Sequence, residues 1–200
     1  MLYTMKSKII AVAGSKGGGG KSTIAVNLAG ALAMRGPTVI SDEDETIRTT
    51  QDWLEGSAIP VTLRPPGGEP PTGTAYWVMD IEGRPAIADV ASLSKIATVL
   101  IPTAPNAGEM MPMARMWNEL EKAGAEMANL RVVVTKAPPV GSVGQVARDQ
   151  LREMGLYVCT AVVRRYTAHE RALQDQVLVR DVPGGENAWS DILALGFEVC

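Results

Sequence analysis

Gly14-Ser15-Lys16-Gly17-Gly18-Gly19-Gly20-Lys21-Ser22-Thr23 follows the apolar run Ile9 to Ala13 and precedes a helical pattern, Ser22 to Arg35, with Ala25, Leu28, Ala29 and Leu32 on one face. Strand, glycine turn and helix in that order suit one chemistry. Glycines let backbone N–H groups curl around phosphate oxygens with no Cβ in the way, and the helix N-terminus adds a partial positive charge. Lys21 is then placed for the β- and γ-phosphates, the Ser22 hydroxyl for a Mg²⁺ ion and Thr23 for the α-phosphate. The expected ligand is a nucleoside triphosphate.

Such a site also needs carboxylates across from the phosphates, at the C-terminal ends of neighbouring strands. Asp80 closes the apolar run Tyr76-Trp77-Val78-Met79 and precedes Ile81-Glu82-Gly83, so it meets that requirement. A second acidic element, Asp42-Glu43-Asp44-Glu45, follows the run Thr38 to Ser41.

The elements that must carry these groups alternate along the chain. Candidate strands are Ile9 to Ala13, Thr38 to Ser41, Val61 to Leu63, Trp77 to Asp80, Thr98 to Pro102, Arg131 to Thr135 and Val158 to Val163. Candidate helices are Ser22 to Arg35, Ala86 to Ser94, Met110 to Ala123, Val143 to Met154 and Ala188 to Leu195. This alternation predicts an α/β fold, a doubly wound and mostly parallel sheet with helices on both faces. Arg64 to Gly73 is rich in proline and glycine and reads as an exposed loop.

The 200 residues are 46% hydrophobic and 20% charged, which suits one domain over 1–200 and excludes a disordered tail or a fibrous rod. No apolar run approaches the roughly 20 residues of a membrane-spanning helix, and Met1 to Lys8 lacks the features of a secretory signal. A cytoplasmic location follows. Cys159 and Cys200 lie far apart, so no disulfide framework or zinc site is expected.

Lys16-Gly17-Gly18-x-Gly20-Lys21-Ser22 resembles the deviant Walker A box of the ParA/MinD family of ATPases, most closely the small ParA type without an N-terminal helix-turn-helix domain. The resemblance implies a P-loop NTPase that binds ATP and Mg²⁺ and forms a homodimer, with Lys16 crossing to the partner's phosphates. Asp80 would be its Walker B acid. The acidic element resembles the family's Asp-x-Asp box, Asp42 holding a metal-bound water and Asp44 orienting the attacking water. Ungapped spacing from Gly36, or back from Trp53, puts Glu43 and Glu45 in those roles instead. Asp42 and Asp44 are preferred because Ser41 can end a strand, whereas Asp42 inside it would be buried. Pro102-Thr103-Ala104-Pro105 resembles the turn where the family's dimer interface begins. Thr135-Lys136 stands where the family often has Asn-Arg beside adenine, which brings Thr135 to the nucleotide. Val163-Arg164-Arg165 with Ala168 to Leu173 resembles the late strand and loop that close over it.

The same resemblance implies nonspecific DNA binding by the ATP dimer, association with the nucleoid, partition or positioning of a plasmid, chromosome or other cargo, and a small adaptor protein that stimulates hydrolysis. Net charge is −3, but Arg131 to Arg171 holds seven basic and three acidic residues, a local +4. Arg148, Arg152, Arg164 and Arg165 are its candidate DNA contacts. A membrane-bound branch is disfavoured because Trp189 to Cys200 contains no lysine or arginine. Two competing functions share the fold: a small-molecule ligase like dethiobiotin synthetase, which needs no Lys16, and a nucleotide-dependent binding module with negligible hydrolysis. The stripe Met110, Met113, Met116 and Trp117 is expected in the core, and His169, the only histidine, in a loop without a catalytic or metal role.

Overall fold

A computed structural model describes residues 7–14 and 19–200. Its strands are β1 (Lys8–Val12), β2 (Thr38–Asp42), β3 (Thr62–Arg64), β4 (Tyr76–Asp80), β5 (Thr98–Thr103), β6 (Leu130–Ala137) and β7 (Val158–Arg164). Its helices are α1 (Lys21–Ala33), α2 (Thr49–Leu54), α3 (Ile87–Leu93), α4 (Ala107–Lys122), α5 (Val143–Glu153), α6 (Thr167–Gln174) and α7 (Glu186–Val199). The seven strands form one sheet in the order β3-β2-β4-β1-β5-β6-β7, and every pairing is parallel. The expected doubly wound architecture is present.

Strand alternation divides the apolar residues between two layers. Ile10, Val12, Leu100 and Val133 face α1, α2, α6 and α7, whereas Ala11, Val99, Ile101, Val132 and Val134 face α3, α4 and α5. Period-two alternation in strands buried on both faces has this outcome because each side chain finds a helix, whichever way it points. Met110, Met113, Met116 and Trp117 are all buried in the second layer, as the spacing predicts.

α1 differs from its predicted one-sided pattern. Every residue from Ile24 to Leu32 is buried, because α7 and α2 cover the side that turns away from the sheet. Asn27 is tolerated there because both ends of its amide are used: Nδ2 donates to the Thr23 carbonyl and Oδ1 accepts the Val179 N–H. That second bond ties the chain entering α7 to the helix that follows the glycine turn.

Two helices were not predicted, α2 and α6. Both are short, and α6 occupies the Ala168 to Leu173 stretch read as a loop, so His169 lies on a helix. Pro102 and Thr103, read as part of a turn, lie within β5. Pro102 lies beyond the β1–β5 pairing, which ends at Val12 and Leu100, so it has a paired strand, β6, on one side only, as at a sheet edge.

β7 is an edge strand, and its outward backbone groups are satisfied by charged side chains. From α5, Arg152 donates to the Val158 carbonyl at 2.8 Å and Arg148 to the Thr160 carbonyl at 3.1 Å. From α7, the Glu198 carboxylate accepts the Thr160 and Ala161 N–H groups at 2.6 and 3.0 Å. Ion-bearing side chains thus stand in for an eighth strand and close the edge to another chain. This corrects the expected basic face of α5, since Arg148 and Arg152 turn to the strand and Arg148 also pairs with Asp149. Glu198→Ala should accelerate amide exchange at Thr160 and Ala161 by about tenfold or more while leaving β1 and β5 protected. Equal exchange in both proteins, read by hydrogen-exchange mass spectrometry, would show the edge held by something else.

Candidate nucleotide site

Parallel strands deliver their C-terminal ends to one side of the sheet, and a cleft of about 540 Å³ opens there. Gly20, with φ of 85°, precedes α1, a left-handed conformation that glycine adopts without a Cβ penalty. Gly20 to Ile24 line the cleft, bringing Lys21, Ser22 and Thr23 together at the helix N-terminus. Lys16, Gly17 and Gly18 lie outside the described residues. Gly19 stands at the turn, its carbonyl accepting the Thr135 hydroxyl at 3.4 Å, and Thr135, near the end of β6, lines the cleft.

Of the predicted acids, Asp80 and Asp44 line the cleft, with Glu170 of α6 on the opposite wall. Asp80 is 4% exposed; its Oδ2 accepts the Thr50 hydroxyl at 2.7 Å, and its Oδ1 is buried without a hydrogen-bond partner among the described residues. Burial pushes its pKa up to about 6, the Asp42 charge adds to the rise, and Ser22, Thr50 and Lys21 oppose it. Asp44 sits in a turn where its Oδ1 accepts the Thr46 hydroxyl and the Thr46 and Ile47 N–H groups, and these bonds hold its carboxyl below the usual value.

Asp42 overturns the argument that chose it. β2 runs one residue further than expected and ends on Asp42, which is 5% exposed. It is not left as a bare charge: Oδ1 accepts the Asp44 N–H at 3.1 Å, and Oδ2 the Thr50 and Gln51 N–H groups, both at 3.0 Å. Those are first-turn amides of α2, so Asp42 caps that helix from a distance in the chain. Glu43 points elsewhere, accepting the Ser41 hydroxyl and the Gly67 N–H, and thereby anchors the loop after β3. Glu45 is exposed. The acid of this element that lines the cleft is Asp44.

The far wall comes from Lys136, from Val163 to Tyr166 and from α6. Lys136 has φ of 53°, at an irregularity in the β6–β7 pairing that turns the chain outward here. Arg164 and Arg165 therefore border the cleft, not the α5 face, and the four predicted arginines divide between two places. Arg164 is bound by Asp191 of α7, while the Arg165 side chain is 74% exposed, 3.9 Å from Glu170. Sequence reasoning missed Thr50, Asp191 and Tyr166, none of which carries a spacing signal. His169 also lines this wall; burial lowers its pKa, and among the described residues no group of three or more candidate ligands could hold a metal ion without other donors.

A family model for the CobQ/CobB/MinD/ParA nucleotide binding domain matches residues 10–179. The chain belongs to this family. As a CobQ/CobB/MinD/ParA domain it is 29% identical to the "Maintenance of carboxysome distribution protein A" of Gloeobacter kilaueensis, over 82% of this chain and 80% of that protein. Its fold matches a ParA family ATPase from Chlorobium tepidum, with a TM-score of 0.76 at 13% identity over 96% of this chain and 99% of the other. The Pyrococcus furiosus cell division ATPase MinD matches with a TM-score of 0.73 at 17% identity, over 97% and 98% of the two chains. No helix among the described residues is long and apolar enough to cross a membrane.

Asp80 gives this family member a measurable pH signature. Its carboxyl ionises near 6 when folded and near 3.8 when unfolded, so folding takes up a proton between those values. Stability from this group is therefore present at low pH and lost as pH rises from about 4 to about 6, a cost of about 1–3 kcal/mol above that window. Asp80→Asn should make the ligand-free protein more stable at pH 7 by about that amount and remove this part of the slope. Urea unfolding at pH 4.5 and pH 7 tests it, and an Asn variant less stable at both would refute it.

Proposed function

We propose that the chain, read as one domain over 1–200, is an ATPase that dimerises around ATP and uses hydrolysis to position a cargo against DNA. The observation that carries the nucleotide reading is the buried Asp80 carboxyl beside Ser22 at the N-terminus of α1, whose Oδ1 has no hydrogen-bond partner among the described residues. A buried acceptor left open beside a hydroxyl suits the water shell of a Mg²⁺ ion. Ser22 would bind that ion directly, with Asp80 holding its waters, whereas both Asp42 oxygens are taken by backbone N–H groups. When bound, Mg²⁺ supplies neutralisation of the β- and γ-phosphate charge.

Sheet order then sets the direction of the substrate. β4 and β2 lie on one side of β1, and β5, β6 and β7 on the other. With Lys21 on the β- and γ-phosphates, Gly17 to Gly20 around them and Thr23 on the α-phosphate, the γ-phosphate points toward Asp80 and Asp44. The nucleoside extends toward Thr135 and the wall that follows β7. Asp44, kept ionised, orients the attacking water. Lys16 reaches the partner subunit's nucleotide.

The similarity to a carboxysome distribution protein supports a positioning role over partition alone, with an adaptor protein as the link to cargo. For DNA, the engagement of Arg148, Arg152 and Arg164 within the fold leaves Arg165 as the strongest contact of the four. The cytoplasm, with the nucleoid as the track, is the proposed location.

Titration calorimetry with ATP and Mg²⁺ tests the site: Lys21→Ala should abolish binding, and retained tight binding would mean the phosphates lie elsewhere. Asp44→Ala should keep ATP binding but hydrolyse at least about a hundredfold more slowly, as expected for loss of a positioned base, while Glu45→Ala hydrolyses nearly normally. DNA binding by the ATP-bound protein should fall steeply with salt, and Arg165→Ala should reduce the log–log slope by about two, one contact per subunit. An unchanged slope would remove Arg165 from the DNA surface.

A further inference from the structure

Asp191 lies on α7, outside the cleft, and is only 7% exposed. Its carboxylate is devoted to one residue of the cleft wall. Oδ2 accepts the backbone N–H and the Nε of Arg164, both at 3.0 Å, while Oδ1 accepts Nη2 and, at 3.2 Å, Nε. The guanidinium lies over the Tyr166 ring, 5.5 Å from its centroid, and Tyr166 in turn lies 6.4 Å from the His169 ring.

This arrangement is tightly constrained for two reasons. Arg164 ends the edge strand, so its outward N–H has no neighbouring strand to bond, and Asp191 takes that bond. A buried carboxylate also needs its counter-charge, so Asp191 and Arg164 hold each other in place and neither moves alone. The direction in which the chain leaves β7, and with it the position of Arg165, Tyr166 and the first turn of α6, is thereby set from α7.

We propose that Asp191 is a positioning residue for the nucleotide: by holding the backbone and guanidinium of Arg164 it fixes the nucleoside side of the cleft, and the triphosphate side does not depend on it. This rests on the ATP reading given above. Among the described residues, the bonds that Asp191 makes go to Arg164 and not to Lys21, Ser22 or Thr23 at the start of α1.

Two ligands that share a phosphate chain separate the roles. Binding of ATP with Mg²⁺ and of inorganic tripolyphosphate with Mg²⁺ is measured on the full chain and its variants by calorimetry. Asp191→Ala should weaken ATP binding about tenfold, the scale of lost charge-assisted hydrogen bonds, and leave tripolyphosphate within about twofold. In an Arg164→Ala background, Asp191→Ala should cost clearly less than in the parent, because only the bond to the backbone N–H of residue 164 remains to be lost. Unchanged ATP affinity, an equal loss for both ligands, or a full further loss in the Arg164→Ala background would each overturn the proposal. Should Asp191→Ala not fold, Asp191→Asn keeps an acceptor for the Arg164 N–H, and the same pair of titrations decides with the same expected direction. Failure of the unmodified chain to bind ATP would overturn the nucleotide reading itself, an outcome distinct from a variant that binds both ligands as the parent does.

Discussion

Asp42 and Asp80 occupy paired positions on neighbouring parallel strands, and both are almost completely buried. Two carboxylates side by side out of water repel each other and lose hydration, so the surrounding structure must supply donors. Asp42 is met by backbone N–H groups, two of them from the first turn of α2, and Asp80 by the Thr50 hydroxyl from the same turn. α2 is thus held in place by the acids it stabilises. Among the described residues one oxygen, Asp80 Oδ1, is left over, and the carboxyl lies beside Ser22 and Lys21 at the start of α1. A site for a hydrated cation is the natural complement of that leftover acceptor.

The cleft built around this pair has two walls of different character. On the β2–β4 side the acids and their turns make a polar surface; on the β6–β7 side an irregular pairing, a positive φ at Lys136 and an arginine held by Asp191 make the other. The second wall is anchored at the edge of the sheet, where α5 and α7 reach around β7 from opposite faces. Charged side chains spent on that edge are unavailable to a ligand, which is why a basic stretch of sequence does not become a basic surface. Four arginines read as one patch are divided among an edge strand, a buried carboxylate and solvent.

Family membership and geometry point the same way. A CobQ/CobB/MinD/ParA domain match over residues 10–179 spans both walls up to the turn that enters α7, and the described site combines a helix terminus bearing Lys21, Ser22 and Thr23 with facing acids. Asp191 lies beyond the matched residues, on α7, yet it determines where the far wall sits.

The amino-acid sequence by itself determined the class of fold, the strand positions to within a residue or two, the helix that starts at Lys21 and the acid that ends β4. Those features are local: a glycine run between an apolar strand and a helix pattern, or an acid closing an apolar run, constrains its own segment whatever surrounds it. What lay beyond it was decided by contacts between segments far apart. α2 has six residues and is capped by a carboxylate from β2, so no helical period announces it. α6 is held between the cleft and the α1 layer, and the loop reading had no term for that packing. Asp42 lies inside a strand because amides of another element satisfy its charge, and Arg148, Arg152 and Arg164 lose their freedom to partners up to 27 residues away in the chain. Charge and burial are properties of a neighbourhood, and only the tertiary structure brings these neighbours together.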